Sequence, residues 1–265
     1  MIIDFHTHAF PDSLAERAIR TLEAETDNVK ARLDGRLSSL LASMDRAGIE
    51  RSVLCSIATK PEQFDAILDW SRRIRSPRIV PLLSIHPRDP RAVERLDRVA
   101  EEGFLGIKLH PYYQDFSLDE DALMPVYERL EALGLLLVCH TGFDIAFPRT
   151  RRCDPARIAA VIARFPALRF VATHLGAWQD WDEVRRHLLG RPIYLETSFS
   201  LQYLPPEEAR ALILAHPADR VLFGTDSPWR DQTESAGELR ALKLDADRED
   251  AILHGNAERL LRVMP

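Results

Sequence analysis

The sequence has 265 residues, of which 46% are hydrophobic, so it can bury one large core. Its formal net charge of −6 argues against a nucleic acid or an anionic membrane as the main partner. No stretch approaches the roughly 18 consecutive apolar residues of a membrane-spanning helix. These values predict a soluble globular protein without a nucleic-acid or membrane partner.

A short apolar run, a polar loop and an amphipathic helical stretch follow one another repeatedly along the chain. Near-continuous apolar strands that alternate with helices are typical of parallel strands buried on both faces. Eight such units predict a closed (β/α)8 barrel of the TIM-barrel type, with an open doubly wound sheet as the alternative. No glycine-rich nucleotide-binding motif follows a strand, which weakens that alternative. The predicted strands cover residues 2–8, 51–57, 78–85, 104–110, 135–140, 168–174, 192–198 and 220–226.

The chain shows no linker or repeat, so we predict that residues 1–265 form a single barrel domain. The long stretch 11–35, between the first strand and its helix, is a candidate lid over the barrel mouth. Cys55, Cys139 and Cys153 are odd in number and follow no metal or redox spacing. They predict reduced thiols and therefore a cytoplasmic protein.

Metal-ligating residue types stand at the ends of the predicted strands. Enzymes on this barrel carry their chemistry on the C-terminal strand ends and the loops that follow. Strand one ends in His6 and His8, and alternate residues of a strand face the same side, so both imidazoles can converge on one ion. These positions predict a metal site at the barrel mouth. Other strand ends carry Lys108, His140, His174 and Asp226.

The sequence around these residues resembles the amidohydrolase superfamily over the whole chain. The matching stretches are IDFHTH at the start, GIKLHP, CHTG, THLG, GTDSPW and the terminal HGNAERLL. The sequence is similar to the amidohydrolase-related branch that includes aminocarboxymuconate-semialdehyde decarboxylase and pyrone-dicarboxylate lactonase. The resemblance implies that His174 either binds a second metal ion or polarises the substrate and the attacking water. It implies that a divalent metal ion is bound by His6, His8, His140 and Asp226.

Lys108 distinguishes a site with one metal ion from a site with two. A lysine that points into a barrel is costly to bury charged, so it needs a partner or a changed protonation state. In one interpretation it pairs with Asp226 or Glu196, and in a second its ammonium group holds a substrate carboxylate. In the third, by resemblance to urease-like and dihydroorotase-like members, it is carboxylated and bridges two ions. We favour the third and count Lys108 among the metal ligands.

These residue types indicate hydrolysis by an activated water molecule. A divalent ion lowers the pKa of bound water from 15.7 towards about 7. The predicted catalytic residues are Asp226, which moves the proton of the water to the leaving group, and His174, which stabilises the developing oxyanion. Nitrogen and oxygen ligands without thiolate favour zinc, with manganese, iron or cobalt as alternatives. No GxSxG sequence is present, so a serine nucleophile has no support.

Arginine and aromatic residues follow several strand ends and indicate the class of substrate. Aromatic walls with arginines suit a small organic acid, because arginine binds carboxylates with two parallel hydrogen bonds. In the alternative interpretation the arginines are simply solvent-exposed and the aromatic residues only contribute to packing, so neither binds a substrate. A homo-oligomer is compatible with the sequence. The predicted substrate-binding residues are His110, Tyr112, Arg149 and Trp229.

The favoured function is hydrolysis of a C–O or C–N bond in a lactone, ester or amide of a small organic acid. The alternative is metal-dependent, non-oxidative decarboxylation of a small unsaturated or aromatic carboxylic acid. The compact length and Lys108 favour hydrolysis. A non-catalytic metal-binding protein is a third hypothesis, which a fully enclosed ion would favour, because catalytic sites keep an open position.

Overall fold

The strands of the molecule follow the predicted pattern. The computed structural model describes residues 1–26 and 29–262, and within them each of eight β-strands lies inside one of the predicted ranges. The strands are β1 Ile3–Thr7, β2 Arg51–Cys55, β3 Ile79–Leu82, β4 Gly106–Leu109, β5 Leu136–Cys139, β6 Arg169–Ala172, β7 Tyr194–Glu196 and β8 Val221–Leu222.

All neighbouring strands pair in parallel, and the pairing closes into a barrel. Strands β1 to β3 form one ladder and β4 to β8 another. One seam is joined by a parallel bridge between Leu83 and Ile107. The other is joined by the Phe5 amide, which donates to the Phe223 carbonyl at 2.8 Å, and by a bridge between Thr7 and Ser227. The TIM-barrel prediction is therefore confirmed, and the open sheet is wrong.

Helices follow the strands on the outside of the barrel, and their ends carry the expected capping residues. The Asp154 side chain accepts a hydrogen bond from the Arg157 amide at the start of α6. Gly48 ends α2 in the left-handed conformation, where a side chain would be strained. The helices are α1 Asp12–Ala24, α2 Leu37–Ala47, α3 Phe64–Ile74, α4 Ala92–Glu101, α5 Met124–Ala132, α6 Pro155–Arg164, α7 Trp181–His187, α8 Pro206–Ala215, α9 Gln232–Ala241, α10 Ala246–Asp250 and α11 Asn256–Arg262.

Two apolar layers explain which strand residues face the barrel interior. In β5, Leu136 and Val138 belong to the interior cluster, which α11 also joins through Leu260. Leu137 and Cys139 belong to the larger cluster between strands and helices. Because successive side chains of a strand alternate, His140 continues the inward-facing series just beyond the end of β5. The same alternation directs Lys108 of β4 inward. It does not extend to His6, which directly follows the interior residue Phe5, and the pairing of β1 is irregular between Asp4 and Thr7.

The segment 11–35 contains α1 and leads to α2. Residues Asp27 and Asn28 of this candidate lid lie outside the described residues. Helix α1 buries Ala15 and Ile19 on one face and leaves its other face towards the barrel mouth. Within residues 1–26 and 29–262, none of the helices has both the length and the hydropathy needed to cross a lipid bilayer.

Candidate metal centre

A cavity of about 650 Å³ opens at the C-terminal end of the barrel. Its floor is made by strand-end side chains, and its outer wall is made largely by α1 and α3. The structure brings all the residues predicted as metal ligands to this floor. They are His6, His8, Lys108, His140, His174 and Asp226.

Three of these residues form a tight triangle of ligand atoms. His6 Nε2 lies 3.1 Å from His8 Nε2 and 3.4 Å from Asp226 Oδ1. His8 Nε2 lies 3.1 Å from the same carboxylate oxygen. Four ligands placed around zinc at 2.0–2.1 Å stand about 3.3 Å apart, so the triangle has the size of one face of such a tetrahedron.

Hydrogen bonds on the far side of each ring determine which nitrogen of His6 and His8 carries the proton. His8 Nδ1 faces the carbonyl oxygen of Cys55 at 2.7 Å, and a carbonyl only accepts. His6 Nδ1 lies 3.0 Å from the Glu196 carboxylate. Both Nδ1 atoms therefore donate, and both Nε2 atoms present a lone pair to the cavity.

A second pair of histidines shows the same arrangement next to the first. His174 Nδ1 donates to the Ser198 carbonyl at 3.0 Å, and His140 Nε2 donates to the Phe143 carbonyl at 3.0 Å. The two remaining nitrogens, His174 Nε2 and His140 Nδ1, face each other 3.0 Å apart. Lone pairs in such close contact repel each other unless a cation lies between them. The donor set therefore fits a divalent metal ion, and the two groups of ligands have room for one ion or two.

Burial keeps several of these imidazoles neutral, which is the form that binds a metal. Desolvation lowers the pKa of His174 to about 4, and the Lys108 charge adds to this effect. Desolvation also lowers the pKa of His6 and His140 well below the ordinary value, with further contributions from neighbouring cationic groups. Their lone pairs are therefore available at neutral pH.

Lys108 is completely buried at the centre of the floor. Its Nζ lies 3.1 Å from His6 Nε2. Among the described residues no carboxylate oxygen lies within 4.0 Å of this nitrogen. Lys108 therefore makes no direct ion pair with Asp226 or Glu196, although its charge opposes the rise that burial causes in the pKa of Glu196. A substrate carboxylate and carboxylation of the lysine remain as interpretations.

Glu196 at the end of β7 holds the ligand histidines in place. Its carboxylate accepts from the Ser198 amide at 2.7 Å and from the His174 amide at 3.1 Å, as well as from His6. Complete burial raises the pKa of Glu196 to about 7, and the hydrogen bonds from Ser198 oppose that rise. A Cβ atom at Gly224 would lie 2.1 Å from Glu196 Oε2, so only glycine admits this carboxylate.

Both predicted catalytic residues have a backbone in the left-handed region. His174 has φ 59° and Asp226 has φ 63°. This conformation costs a non-glycine residue of order 1–3 kcal/mol and is typical of functional sites. At Asp226 the amide donates to the His6 carbonyl at 2.8 Å, which holds the carboxylate beside β1. The fold thus retains a strained backbone where the ligand atoms converge.

His110 and Asp144 form a second polar group in the cavity wall. His110 Nε2 lies 3.4 Å from Asp144 Oδ2, and His140 Nε2 lies 3.5 Å from the same oxygen. The His110 and His140 rings stack with centroids 4.1 Å apart. Asp144 was not among the predicted site residues, because it follows β5 by several residues within a loop. Its spacing of four from His140 is the only signal that the sequence offered.

The structure separates the predicted substrate-binding residues into two pairs. His110 and Trp229 line the cavity. Tyr112 does not line it: its hydroxyl donates to the Thr150 carbonyl at 2.6 Å and lies 3.0 Å from the Gly142 carbonyl. Arg149 also lies outside the lining, and its guanidinium stacks on the Phe143 ring, 3.9 Å from the centroid.

Sequence reasoning missed the residues that α1 and α3 present to the cavity. They include Arg17 and Leu14 of α1 and Ile67 and Trp70 of α3. The sequence signal was the spacing of three or four residues, which shows that these side chains share one face of a helix. It does not show whether that face is directed at the cavity until the helix is packed against the barrel. The strand-end residues needed no such placement.

Comparison with known proteins identifies the family of the chain. A family model described as Amidohydrolase matches residues 3–263. The dihydroorotase of Azoarcus sp. (strain BH72) is 32% identical over 105 residues, which is 36% of this chain and 30% of that protein. The match thus spans less than a third of the length of this curated relative.

Solved structures share the fold over nearly the whole chain. An uncharacterized TIM-barrel protein from Bordetella bronchiseptica has a TM-score of 0.77 at 23% identity, covering 98% of both chains. The 5-carboxyvanillate decarboxylase of Sphingomonas paucimobilis has a TM-score of 0.71 at 18% identity, covering 99% of both chains. A protein titled putative 2-pyrone-4,6-dicarboxylic acid hydrolase from Pseudomonas putida has a TM-score of 0.68 at 19% identity, covering 98% of this chain and 97% of that one. With the family model matched from residue 3 to residue 263, the chain belongs to the amidohydrolase family of metal-dependent enzymes.

Proposed function

We propose that this enzyme hydrolyses a C–O or C–N bond in a lactone, ester or amide of a small organic acid. Divalent cations, with zinc as the first choice, are held by the six residues of the cavity floor. The lone-pair contacts among His6, His8, His140 and His174 support this ligand set. Nitrogen and oxygen donors without thiolate support zinc, and also accommodate manganese, iron or cobalt.

The observation that carries the proposal is the burial of Lys108 beside His6 without a carboxylate partner among the described residues. An ammonium group in that position would lie next to His6 and any bound cation, and among the described residues no carboxylate within 4.0 Å would offset its desolvation. Carboxylation removes the cost: the neutral amine adds to CO₂, a proton is released, and the side chain becomes an anion with two oxygen ligands. We propose that this carbamate would supply its two oxygens as ligands when two divalent cations are bound.

When bound by these ligands, a divalent cation would supply Lewis-acid chemistry, lowering the pKa of water towards about 7 and polarising a carbonyl group. Asp226 accepts the proton of the attacking water through Oδ2 or Oδ1 and delivers it to the leaving group. Asp226 is suited to this role because its side chain is still 14% exposed, whereas the other floor residues are more deeply buried.

His174 acts as a metal ligand in this proposal. Its Nδ1 proton is donated to the Ser198 carbonyl, so Nε2 has a lone pair and no proton to donate to an oxyanion. The ligand role is therefore better supported than the alternative in which His174 polarises the substrate directly.

We further propose that residues 11–35 act as a lid of the single barrel domain. At the C-terminal end of α1, Glu25 accepts a hydrogen bond from the Tyr113 hydroxyl at 2.9 Å, across the cavity mouth. Tyr113 follows β4 and itself lines the cavity. One exposed hydrogen bond is weak enough to break and re-form during turnover. Opening of α1 at this contact would admit the substrate.

The second candidate function is non-oxidative decarboxylation of a small unsaturated or aromatic acid. The Sphingomonas paucimobilis decarboxylase shares the fold of this chain, but at 18% identity this similarity does not by itself favour decarboxylation. The specific observation in its favour is again Lys108, since an unmodified ammonium group at the floor would attract a substrate carboxylate. The state of this one side chain therefore distinguishes the two candidates.

The proposal is tested by metal analysis together with a substrate screen. We expect two metal ions per chain, extra mass of one CO₂ on Lys108 in native mass spectrometry, and release of a carboxylic acid from a lactone, ester or amide. Release of CO₂ from an aromatic acid, with one ion per chain and unmodified Lys108, would overturn it.

A variant series isolates the role of the lysine. Lys108→Ala should lose the second ion and most of its activity, and a small carboxylate such as acetate at high concentration should restore part of both. The matched control is Lys243→Ala, which removes an exposed lysine. Equal metal content in Lys108→Ala and wild type would show that Lys108 is not a ligand.

A further inference from the structure

The cavity continues outward from the metal-ligating floor into a chamber between two helices. We define the outer chamber by Leu14, Arg17 and Ala18 of α1 and by Ala66, Ile67 and Trp70 of α3. Arg17 and Ala18 lie three and four residues after Leu14, and Ala66 and Ile67 lie four and three residues before Trp70, so each set forms one helix face. Two helical faces are thus directed at the same space, which opens into the candidate metal centre.

The outer chamber is mainly apolar. Leu14 is 41% exposed although it is a large hydrophobic residue, and so is Ile145 in the loop after β5, which also lines the cavity. Apolar side chains left in contact with water at the rim of a cavity are typical of ligand-binding sites. At about 650 Å³ the cavity falls in the range that encloses a ligand larger than a single ring.

Arg17 places one positive charge in this apolar wall. Within the described part of the chain, no carboxylate lies within 4.0 Å of its guanidinium. The arginines that follow β5 differ in this respect, since Arg151 is 2.8 Å from Asp180 and Arg152 is 2.9 Å from Asp115. On α1 itself, Arg20 lies 3.8 Å from Glu16. Arg17 is therefore the arginine of the cavity lining that is available to an anion.

We propose that the outer chamber binds the distal end of the substrate: a carboxylate carried on an apolar spacer, with the carboxylate paired to Arg17. The inference rests on the proposed function and specifies its substrate class. The bond to be cleaved lies at the metal-ligating floor, the spacer packs against Ile67 and Trp70, and Arg17 binds the carboxylate with two hydrogen bonds. The distal carboxylate is then recognised in the outer chamber, and the bond is cleaved at the floor of the same cavity.

Calorimetry on the zinc-loaded enzyme tests this arrangement with simple probes. The dicarboxylates glutarate, suberate and sebacate are compared with monocarboxylates of the same chain length, so that each pair differs only in the second acid group. We expect the best dicarboxylate to bind about two- to fivefold more tightly than its partner, because an ion pair to a solvent-exposed arginine contributes about that factor. Arg17→Ala should abolish the difference, whereas Arg20→Ala should preserve it.

A second variant examines the spacer. Ala66→Trp fills the chamber from the α3 side and should weaken suberate binding by about tenfold or more while leaving malonate binding unchanged. Circular dichroism verifies that each variant is folded. No preference for the dicarboxylates in wild type, or an equal effect of Arg17→Ala and Arg20→Ala, would overturn the inference.

Failure of this inference is distinguishable from failure of the proposed function. If malonate binds and the metal content is intact but Arg17 has no effect, the outer-chamber assignment fails and the hydrolytic proposal stands. If the enzyme releases CO₂ from aromatic acids, the hydrolytic proposal fails whatever the Arg17 variants show.

Discussion

The floor and the outer chamber of the cavity are built in different ways. The floor consists of side chains on strand ends, where His6, Lys108 and His174 are at most 2% exposed. The outer chamber consists of helix faces, where Leu14 is 41% exposed. At the floor, hydrogen bonds such as that between His6 and Glu196 hold the ligand rings. In the chamber, packing of α1 and contacts such as the hydrogen bond between Tyr113 and Glu25 hold the wall.

This difference indicates that the floor binds the metal and that the outer chamber selects the substrate. Side chains held from behind by buried partners keep ligand atoms within the narrow geometry that metal binding requires. Side chains on helix faces at the rim of a cavity can move with a substrate and select it by size and charge. We therefore expect changes at the floor to affect metal content and kcat, and changes at the chamber to affect KM.

The largest effect is expected from removing the pair of histidines on β1. His6→Ala with His8→Ala deletes two of the three atoms of the ligand triangle, so bound metal and turnover should fall to background. Elemental analysis and the hydrolysis assay measure both. His187→Ala, which removes a partly exposed histidine on α7, is the control. Full metal occupancy in the double variant would contradict the assignment of the floor.

The next largest effect is expected at Asp226. Asp226→Asn keeps the shape and one acceptor oxygen but cannot take a proton at neutral pH, so kcat should fall by about 10²–10⁴-fold. Steady-state kinetics with the substrate from the screen provides the measurement. Asp219→Asn, at an exposed carboxylate, should leave kcat unchanged. A kcat within about threefold of wild type would assign the proton transfer to another group.

A smaller effect is expected from the carboxylate behind His6. Glu196→Gln weakens the acceptor of the His6 Nδ1 proton, and loss of such a partner typically lowers metal affinity by about 10–100-fold. Competition with a chelator measures that affinity. Glu207→Gln on the exposed side of α8 is the matched control. Unchanged affinity would mean that Glu196 acts only in folding.

The smallest effect is expected at the rim. Tyr113→Phe removes the hydrogen bond to Glu25, so KM should rise by about 2–10-fold with little change in kcat. Tyr203→Phe, which alters a tyrosine that is 40% exposed, should change neither constant. A fall in kcat without a change in KM would place Tyr113 in the chemistry instead of the lid.

The sequence by itself was sufficient for the barrel and for its floor. The C-terminal end of each strand in a parallel barrel lies at the same mouth, so residues such as His140 and Asp226 converge although they are distant in the chain. Their direction follows from alternation along the strand, as Val138 and His140 illustrate. Short-range rules therefore suffice to place a ligand on a strand end.

The tertiary structure alone decided how the surrounding groups are partnered. Arg149 and Tyr112 were predicted from the sequence to bind the substrate, yet the Arg149 guanidinium stacks on the Phe143 ring, and the Tyr112 hydroxyl is bound to a backbone carbonyl. The direction of a helix face depends on how the whole helix packs against the barrel, and that packing involves contacts far apart in sequence. This is why Arg17 and Trp70 emerged as cavity residues only when α1 and α3 were in place.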